Sequence, residues 1–184
     1  MAVIILQVIF LMISMIRPAL AHPGNHELVI GSYSEDEDNI DLTPLIERLK
    51  ADRQARTASE VASLPADDFT SVVGSVGAGY TPDTVWYRME IHATQAGAEP
   101  LQFKRYLEIS PPYLNRIALT ILDRQTRLPV WNNIVGDHIT PNASEARGRQ
   151  HLSTWPNLPA GSYWLVIGVS SNSAQLLNAH LKSD

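Results

Sequence analysis

Apolar and polar residues alternate along most of the second half of this chain. The clearest case is the stretch in which Val85, Tyr87, Met89 and Ile91 are separated by more polar residues. A period of two is typical of a β-strand that buries one face. Similar rows occupy residues 101–109, 117–121, 130–134 and 177–181. About five to eight such strands, without long helices between them, predict a mostly β protein, an antiparallel sandwich or barrel.

One segment departs from the alternation in an informative way. Nearly every side chain from Tyr163 to Val169 is apolar. A short apolar run of this kind favours a central strand that is covered on both faces.

The first half of the chain predicts one short strand and two short helices. Apolar residues 28–30 predict a short strand, and helical periodicity begins at Thr43, which can cap, with Pro44 at the first helical position. Thr57 and Glu60 have the spacing of a capping box, and Pro65 ends this second helix. Both helices are too short to be stable alone, so we expect one or two short N-terminal helices docked on the sheets.

The first 21 residues resemble a secretory signal peptide. An apolar run extends to Ile16, and the small-residue site Ala19-Leu20-Ala21 follows it. We therefore predict a signal peptide at 1–21, a flexible N-terminus at 22–27 and one domain at 28–184. In a bacterium with two membranes the domain would be periplasmic. The alternative is an uncleaved signal that anchors the chain in the membrane.

Composition narrows the classes of partner. The 184 residues include 14 Lys and Arg against 19 Asp and Glu, for a formal net charge of -5, with no basic block. Binding to nucleic acid would need a cationic surface, so it is not expected. The chain has no cysteine, which excludes disulfides, thiolate metal sites and cysteine nucleophiles.

Several segments together resemble one family of bacterial receptor domains. They are residues 40–44 (IDLTP), 79–88 (GYTPDTVWYR), 106–110 (YLEIS), 115–119 (NRIAL), Gly136-Asp137 and 158–165 (LPAGSYWL). In this order they are similar to the type 2 extracellular domain of bacterial seven-transmembrane receptors with diverse intracellular signalling modules. The resemblance covers about residues 28–182.

The resemblance implies a jelly-roll sandwich, similar to carbohydrate-binding modules, that acts as a non-enzymatic periplasmic sensor. A carbohydrate or a similar small polar molecule is the expected ligand, and no cofactor is expected. Contact with the membrane would come only through a missing C-terminal part or an uncleaved signal. The alternative is a free-standing interaction module that forms a homodimer or binds a periplasmic protein and has no small-molecule ligand.

Candidate ligand-binding residues lie on the polar side of the strands. Trp86 and Arg88 share one face of the first strand, and Tyr106 lies on the polar side of the next. A sugar ring stacks on an aromatic side chain while charged groups bond its hydroxyls. The alternative interpretation is that Trp86 lies under a docked N-terminal helix, with Arg88 bonding backbone carbonyls at that seam.

A second group of candidates lies in a loop-rich region. Trp131, Asn132 and Asp137 offer a stacking surface and polar tips where sandwich loops usually present binding residues. Asn and Asp are also common in exposed turns, which leaves a structural role open.

Enzymatic and metal-binding alternatives have weaker support. The acidic run 35–38 lacks the spacing and the turn glycine of a calcium loop. His22 would become the N-terminus after signal cleavage and could chelate copper, but only beside a second histidine. No Gly-x-Ser-x-Gly elbow is present. A glycosidase pair of carboxylates cannot be judged from spacing alone.

Overall fold

The computed structural model describes residues 27–30, 39–51, 53, 55, 57–72, 76–94, 105–139 and 151–183. The strands are β1 (Glu27–Ile30), β2 (Asn39–Asp41), β3 (Glu47–Leu49), β4 (Phe69–Ser71), β5 (Val76–Gly77), β6 (Val85–Ala93), β7 (Arg105–Ser110), β8 (Arg116–Asp123), β9 (Pro129–Val135), β10 (His151–Thr154), β11 (Gly161–Ser170) and β12 (Leu176–Ser183). The α-helix is α1 (Ala58–Ser63), and 3-10 helices span Thr43–Leu45 and Ala66–Asp68. The predicted signal peptide and the acidic run 35–38 lie outside the described residues.

The strands form two sheets. The seven-stranded sheet has the order β4-β3-β6-β11-β8-β9, and β1 also pairs with β6. The five-stranded sheet has the order β10-β7-β12-β2, and β5 also pairs with β12. Strand β1 runs parallel to β6, whereas the other pairings are antiparallel. The predicted antiparallel sandwich is confirmed, and its jelly-roll connectivity stays a prediction.

The main core lies between the two sheets. Tyr87, Met89 and Ile91 of β6 belong to the same buried cluster as Leu107 and Ile109 of β7. These are the residues whose alternation predicted strands with one buried face. Burial of such rows from both sheets supplies most of the apolar area removed from water on folding.

Strand β11 is covered on both faces, as its apolar sequence predicted. Leu165 and Ile167 belong to the main core, whereas Val166 belongs to a second cluster with Val61 and Phe69. This second cluster lies on the outer side of the seven-stranded sheet, where α1 contacts β11, β6 and β8. A second layer therefore packs on one side of the sandwich.

Of the two predicted N-terminal helices, the second is present and the first is not formed beyond one turn. Helix α1 is present, with its capping box formed by reciprocal bonds of 3.2 Å between Thr57 and Glu60. The helix predicted from Thr43 is wrong beyond one 3-10 turn, because the chain continues as β3. Glu47 and Arg48 pair there with β6, and an open sheet edge offers backbone hydrogen bonds that outweigh a weak local helical preference.

The buried hydroxyl of Tyr87 gives a prediction about stability. The side chain is fully buried, and its oxygen has no hydrogen-bond partner among the described residues. An unsatisfied buried hydroxyl costs about 1 to 3 kcal/mol, so Tyr87→Phe should raise the free energy of unfolding by about 1 kcal/mol. Urea denaturation at pH 7 measures this change.

The same phenol should make the wild-type protein sensitive to alkali. Burial raises the pKa of Tyr87 to about 12, while in the unfolded chain it stays near 10. The unfolded state therefore binds fewer protons between these values, and stability should fall as the pH rises from 10 to 12. The Tyr87→Phe variant should show a smaller loss over that range. An equal loss in both proteins would contradict the assignment.

Candidate ligand-binding surfaces

Arg88 lies in the seam between α1 and the seven-stranded sheet and is only 3% exposed. Its Nε donates to Glu47 Oε2 at 3.2 Å, and Nη1 donates to the carbonyl of Leu64 at 2.8 Å. Its guanidinium group also stacks over the rings of Phe69 and Trp164, with centroid distances of 3.4 and 4.7 Å. Burial lowers the pKa of Arg88, and Glu47 opposes that shift. The cation joins β3, β6 and the end of α1.

Trp86 lies in the same seam. Its Nε1 donates to the carbonyl of Ala55 at 2.8 Å. Its ring lies so close to Gly168 of β11 that a Cβ there would be 2.6 Å from the indole Cζ3. These contacts with α1 and with the segment before it correspond to the alternative interpretation, in which Trp86 lies under a docked N-terminal helix and Arg88 bonds backbone carbonyls there. A ligand could reach Arg88 only if α1 moved away.

Trp131 lies at the rim where β9 and β10 approach each other from opposite sheets. It is half-buried and packs against the main core. Beside it, Asn133 Nδ2 donates to Ser153 Oγ of β10 at 2.7 Å. The rim therefore combines an aromatic ring with a polar bridge between the two sheets.

The same rim continues to His151 and Asp137. His151 is 8% exposed, and its Nε2 has no hydrogen-bond partner among the described residues. Burial lowers the pKa of His151, whereas Asp137 and the backbone carbonyl of Pro112 oppose the shift. The ring is therefore neutral at pH 7, and Asp137 itself is exposed.

Asn132 faces away from this rim. Asn132 pairs with Thr120 of β8, and its side chain points to the opposite face of the sheet from that of Trp131. Its exposed neighbour on that side is Ile134, whereas Val130 is the unpaired residue at the register shift of the β8–β9 pairing. Trp131 and Asn132, which sequence analysis grouped together, thus belong to different surfaces.

Tyr106 lies on the outer face of the five-stranded sheet. It alternates with the core residue Leu107 and is absent from the main core, as is Glu108 on the other side of Leu107. Tyr106 and Glu108 are 8% and 5% exposed, although both belong to an outer face. A carboxylate that is nearly buried on a sheet face needs compensating partners.

Strand β12 supplies those partners. Lys182 Nζ donates to Glu108 Oε2 at 2.8 Å. His180 pairs directly with Glu108 on one side and with Asp41 of β2 on the other. The Nδ1 of His180 is buried and has no hydrogen-bond partner among the described residues. We call the set Tyr106, Glu108, His180, Lys182 and Asp41 the polar face.

Two features are absent from the part of the chain that the structure covers, a metal site and a membrane-spanning helix. No group of three or more His, Asp and Glu side chains there is placed to hold a metal ion. No helix in the same part is both long and apolar enough to cross a bilayer.

Comparison with known families assigns the chain to one of them. A family model described as 7TMR-DISM extracellular 2 matches residues 43–183. The chain belongs to this family. Members of the 7TMR-DISM extracellular 2 family are sensor domains of receptors rather than enzymes, and the family's description implies a periplasmic or extracellular location. No curated protein matches the chain.

The predicted residues of this 7TMR-DISM extracellular 2 domain fall into separate places. Trp86 and Arg88 are together in the seam, and Trp131 and Asp137 are both at the rim. Tyr106 is on the polar face, and Asn132 is on the outer side of β9. The six candidates therefore do not form one site.

Sequence analysis missed the residues that accompany Tyr106 in this 7TMR-DISM extracellular 2 domain. Glu108 and His180 alternate with core residues in the same way as Tyr106, so their outward orientation could be predicted from the sequence. The proximity of these side chains could not be predicted, because strands β7 and β12 are far apart along the chain, with 74 residues between Lys182 and Glu108. Only the register between β7 and β12 brings them together.

Proposed function

We propose that this receptor sensor domain binds a small polar ligand, with a carbohydrate as the first candidate, on the polar face. The observation that carries the proposal is the nearly buried Glu108 carboxylate on an outer sheet face. It is held by Lys182 and lies beside a histidine nitrogen that has no described partner. Carboxylates of ion pairs on sheet surfaces are usually solvated, whereas the Glu108 side chain is only 7% exposed and its partner Lys182 is 36% exposed.

The polar face has the chemistry that recognition of a sugar requires. A carboxylate offers about four lone-pair positions, of which Lys182 uses one on Glu108. A ligand hydroxyl can donate to that carboxylate, another can accept from the Lys182 ammonium group, and the His180 ring can serve in either role. Tyr106 adds an aromatic surface next to these groups, suited to the apolar face of a pyranose.

Binding at this place would act on the arrangement of strands. Glu108 belongs to β7, whereas His180 and Lys182 belong to β12. A ligand that contacts both strands stabilises the arrangement in which they are in this register. It can shift a signalling equilibrium only by the difference in its affinity for the two states.

The test is calorimetric titration of the purified domain with a panel of neutral monosaccharides, disaccharides and amino acids. We expect a saccharide to bind and Glu108→Gln to weaken that binding. A hydrogen bond to a charged group contributes about 1.5 to 3 kcal/mol, which corresponds to a loss of roughly 10-fold to 100-fold in affinity.

Glu90→Gln is the matched control. Glu90 is also a carboxylate in an ion pair on a sheet, with Arg124 as its partner, but it lies on the seven-stranded sheet. Its substitution should leave the affinity unchanged. If only amino acids bind, the ligand is a small polar molecule other than a saccharide. No binding by any panel member, or equal effects of the two substitutions, would contradict the proposal.

A further inference from the structure

Polar residues point inward at one edge of the sandwich, where its two sheets end side by side. Strand β9 is at one end of the seven-stranded sheet, β10 is at one end of the five-stranded sheet, and the two strands contact each other. Asn133 of β9 donates to Ser153 Oγ of β10 at 2.7 Å. Ser153 is fully buried, and His151, on the same face of β10, is 8% exposed. Since residues inside a sandwich are usually apolar, core packing alone does not explain this polar edge.

One nitrogen of the His151 ring has a hydrogen-bond partner and the other has none. A ring N–H donates to the backbone carbonyl of Pro112. The Nε2 atom has no partner among the described residues, so the donor is Nδ1. Because burial lowers the pKa of His151, the ring is neutral at pH 7 and Nε2 carries a lone pair and no proton. His151 therefore presents a buried acceptor to which the described part of the chain supplies no donor.

Asp137 supplies a second acceptor beside His151. Its amide donates to the carbonyl of Leu114 at 2.9 Å, so Asp137 and His151 are both bonded to carbonyls of the loop between β7 and β8. Against the effect of burial, the negative charge of Asp137 acts to raise the pKa of His151, which places the carboxylate near the ring. Asp137 is exposed, and no ion pair between residues that the structure describes includes it. Nε2 and this carboxylate form an anionic pair of acceptors that no described cation neutralises.

A primary ammonium group matches this pair of acceptors. It offers several N–H donors, no acceptor and a positive charge on a compact head. A hydroxyl group donates only once and brings no charge. Because the His151 ring is almost buried, only a small group can reach Nε2. Charge, hydrogen-bonding capacity and size therefore favour an ammonium group over a neutral hydroxyl.

We propose that the edge between β9 and β10 binds a small molecule through a primary ammonium group, with His151 Nε2 and the Asp137 carboxylate as its acceptors. Amino sugars and simple amines share this group. The edge is separate from the polar face, since it opens between the two sheets while the polar face is the outer surface of the five-stranded sheet. Binding here is therefore independent of saccharide binding on the polar face.

Paired probes test the requirement for the ammonium group. Ethanolamine is compared with ethylene glycol, and glucosamine with glucose, because each pair differs by an amino group in place of a hydroxyl. NMR titration of the isotope-labelled protein at pH 7 follows the backbone amides of Asp137 and Ser153. We expect at least one amine to shift these amides saturably and its hydroxyl analogue to bind at least about 10-fold more weakly.

The two amines distinguish the sources of the ammonium group. Binding of glucosamine alone would support the site with an amino sugar as its ligand, and binding of both would support it for simple amines as well. Equal binding of an amine and its hydroxyl analogue, or no saturable shift with either amine, would overturn the proposal.

Substitutions test the two acceptors. Asp137→Asn removes the charge and should weaken binding of the amine roughly 10-fold. His151→Asn keeps an amide near the position of Nδ1 but lacks Nε2, so it should weaken binding by a similar factor. His151→Gln places an amide oxygen near the position of Nε2 and should retain part of the affinity. Asp83→Asn is the matched control, since it removes an exposed carboxylate from the loop before β6, and it should leave the affinity unchanged.

A further variant separates this edge from the polar face. Glu108→Gln should leave binding of the amine unchanged, whatever its effect on neutral saccharides. If Glu108→Gln weakens binding of the amine as much as Asp137→Asn does, or if Asp137→Asn has no effect, the proposal is wrong. Because Asp137 is exposed, Asp137→Asn decides the result even if substitution of the buried His151 unfolds the protein.

Discussion

Replacing Arg88 by alanine is expected to lower the free energy of unfolding by about 3 to 5 kcal/mol. The substitution removes a cation that is only 3% exposed and leaves Glu47 and the carbonyl of Leu64 without their partner. It also leaves a cavity between the rings of Phe69 and Trp164, over which the guanidinium group stacks. Urea denaturation followed by tryptophan fluorescence measures the change.

Arg124→Ala is the control for Arg88→Ala. Arg124 also pairs with a carboxylate, Glu90, and lies over the Trp164 ring at 5.4 Å, but its side chain is 48% exposed. Exposed ion pairs contribute about 0 to 1 kcal/mol, so its loss should be small. If the two variants lose similar stability, or if Arg88→Ala reduces ligand affinity while leaving stability unchanged, Arg88 belongs to a binding surface and its assignment to the seam is wrong.

Substituting Gly136 by alanine should be comparably damaging, at about 3 to 5 kcal/mol. Gly136 has a φ of +145°, which residues with a side chain rarely adopt. A Cβ there would lie 2.3 Å from the carbonyl oxygen of Asn115, a backbone atom that also accepts from the amide of His138. Strain of about 1 to 3 kcal/mol adds to a similar cost of overpacking.

The effect of Gly136→Ala should spread through Asn115. The Oδ1 of Asn115 accepts from Ser171 Oγ and from the amide of Asn172, so displacement of Asn115 disturbs the loop before β12. Gly79→Ala is the control, since Gly79 has a φ of +70° but nothing within 4 Å of its Cβ position. It should cost only about 1 to 2 kcal/mol. Equal losses would show that backbone strain alone decides the cost.

Much of the architecture could be predicted because the signals are local. Alternation in β6 and β8, the apolar run of β11 and the capping box of α1 each depend on a few neighbouring residues, and each led to the correct element. Strand β3 was missed because its stability comes from pairing with β6, about 40 residues later, as the Arg88–Glu47 separation of 41 shows. Such a tertiary contact leaves no periodic pattern in three residues.

The candidate surfaces were harder to predict than the fold. The sequence placed Trp86 and Arg88 on the polar side of their strand, and this much is correct. It could not decide whether that side met solvent or α1, since the answer depends on where a six-residue helix docks. Similarly, Tyr106 was identified without Glu108 and His180, because the register of β7 against β12 is set by the packing of both strands on the core.

Strands β1 and β2 lie before the segment that the family model matches, which begins at Thr43. A polypeptide that starts at this boundary would lack one neighbour of β6 and one neighbour of β12, and with them the fully buried Leu28 and Leu42. Each sheet would then have a new unpaired edge beside an unfilled part of the core. The folded domain of this chain therefore extends further towards the N-terminus than the segment that the family model matches.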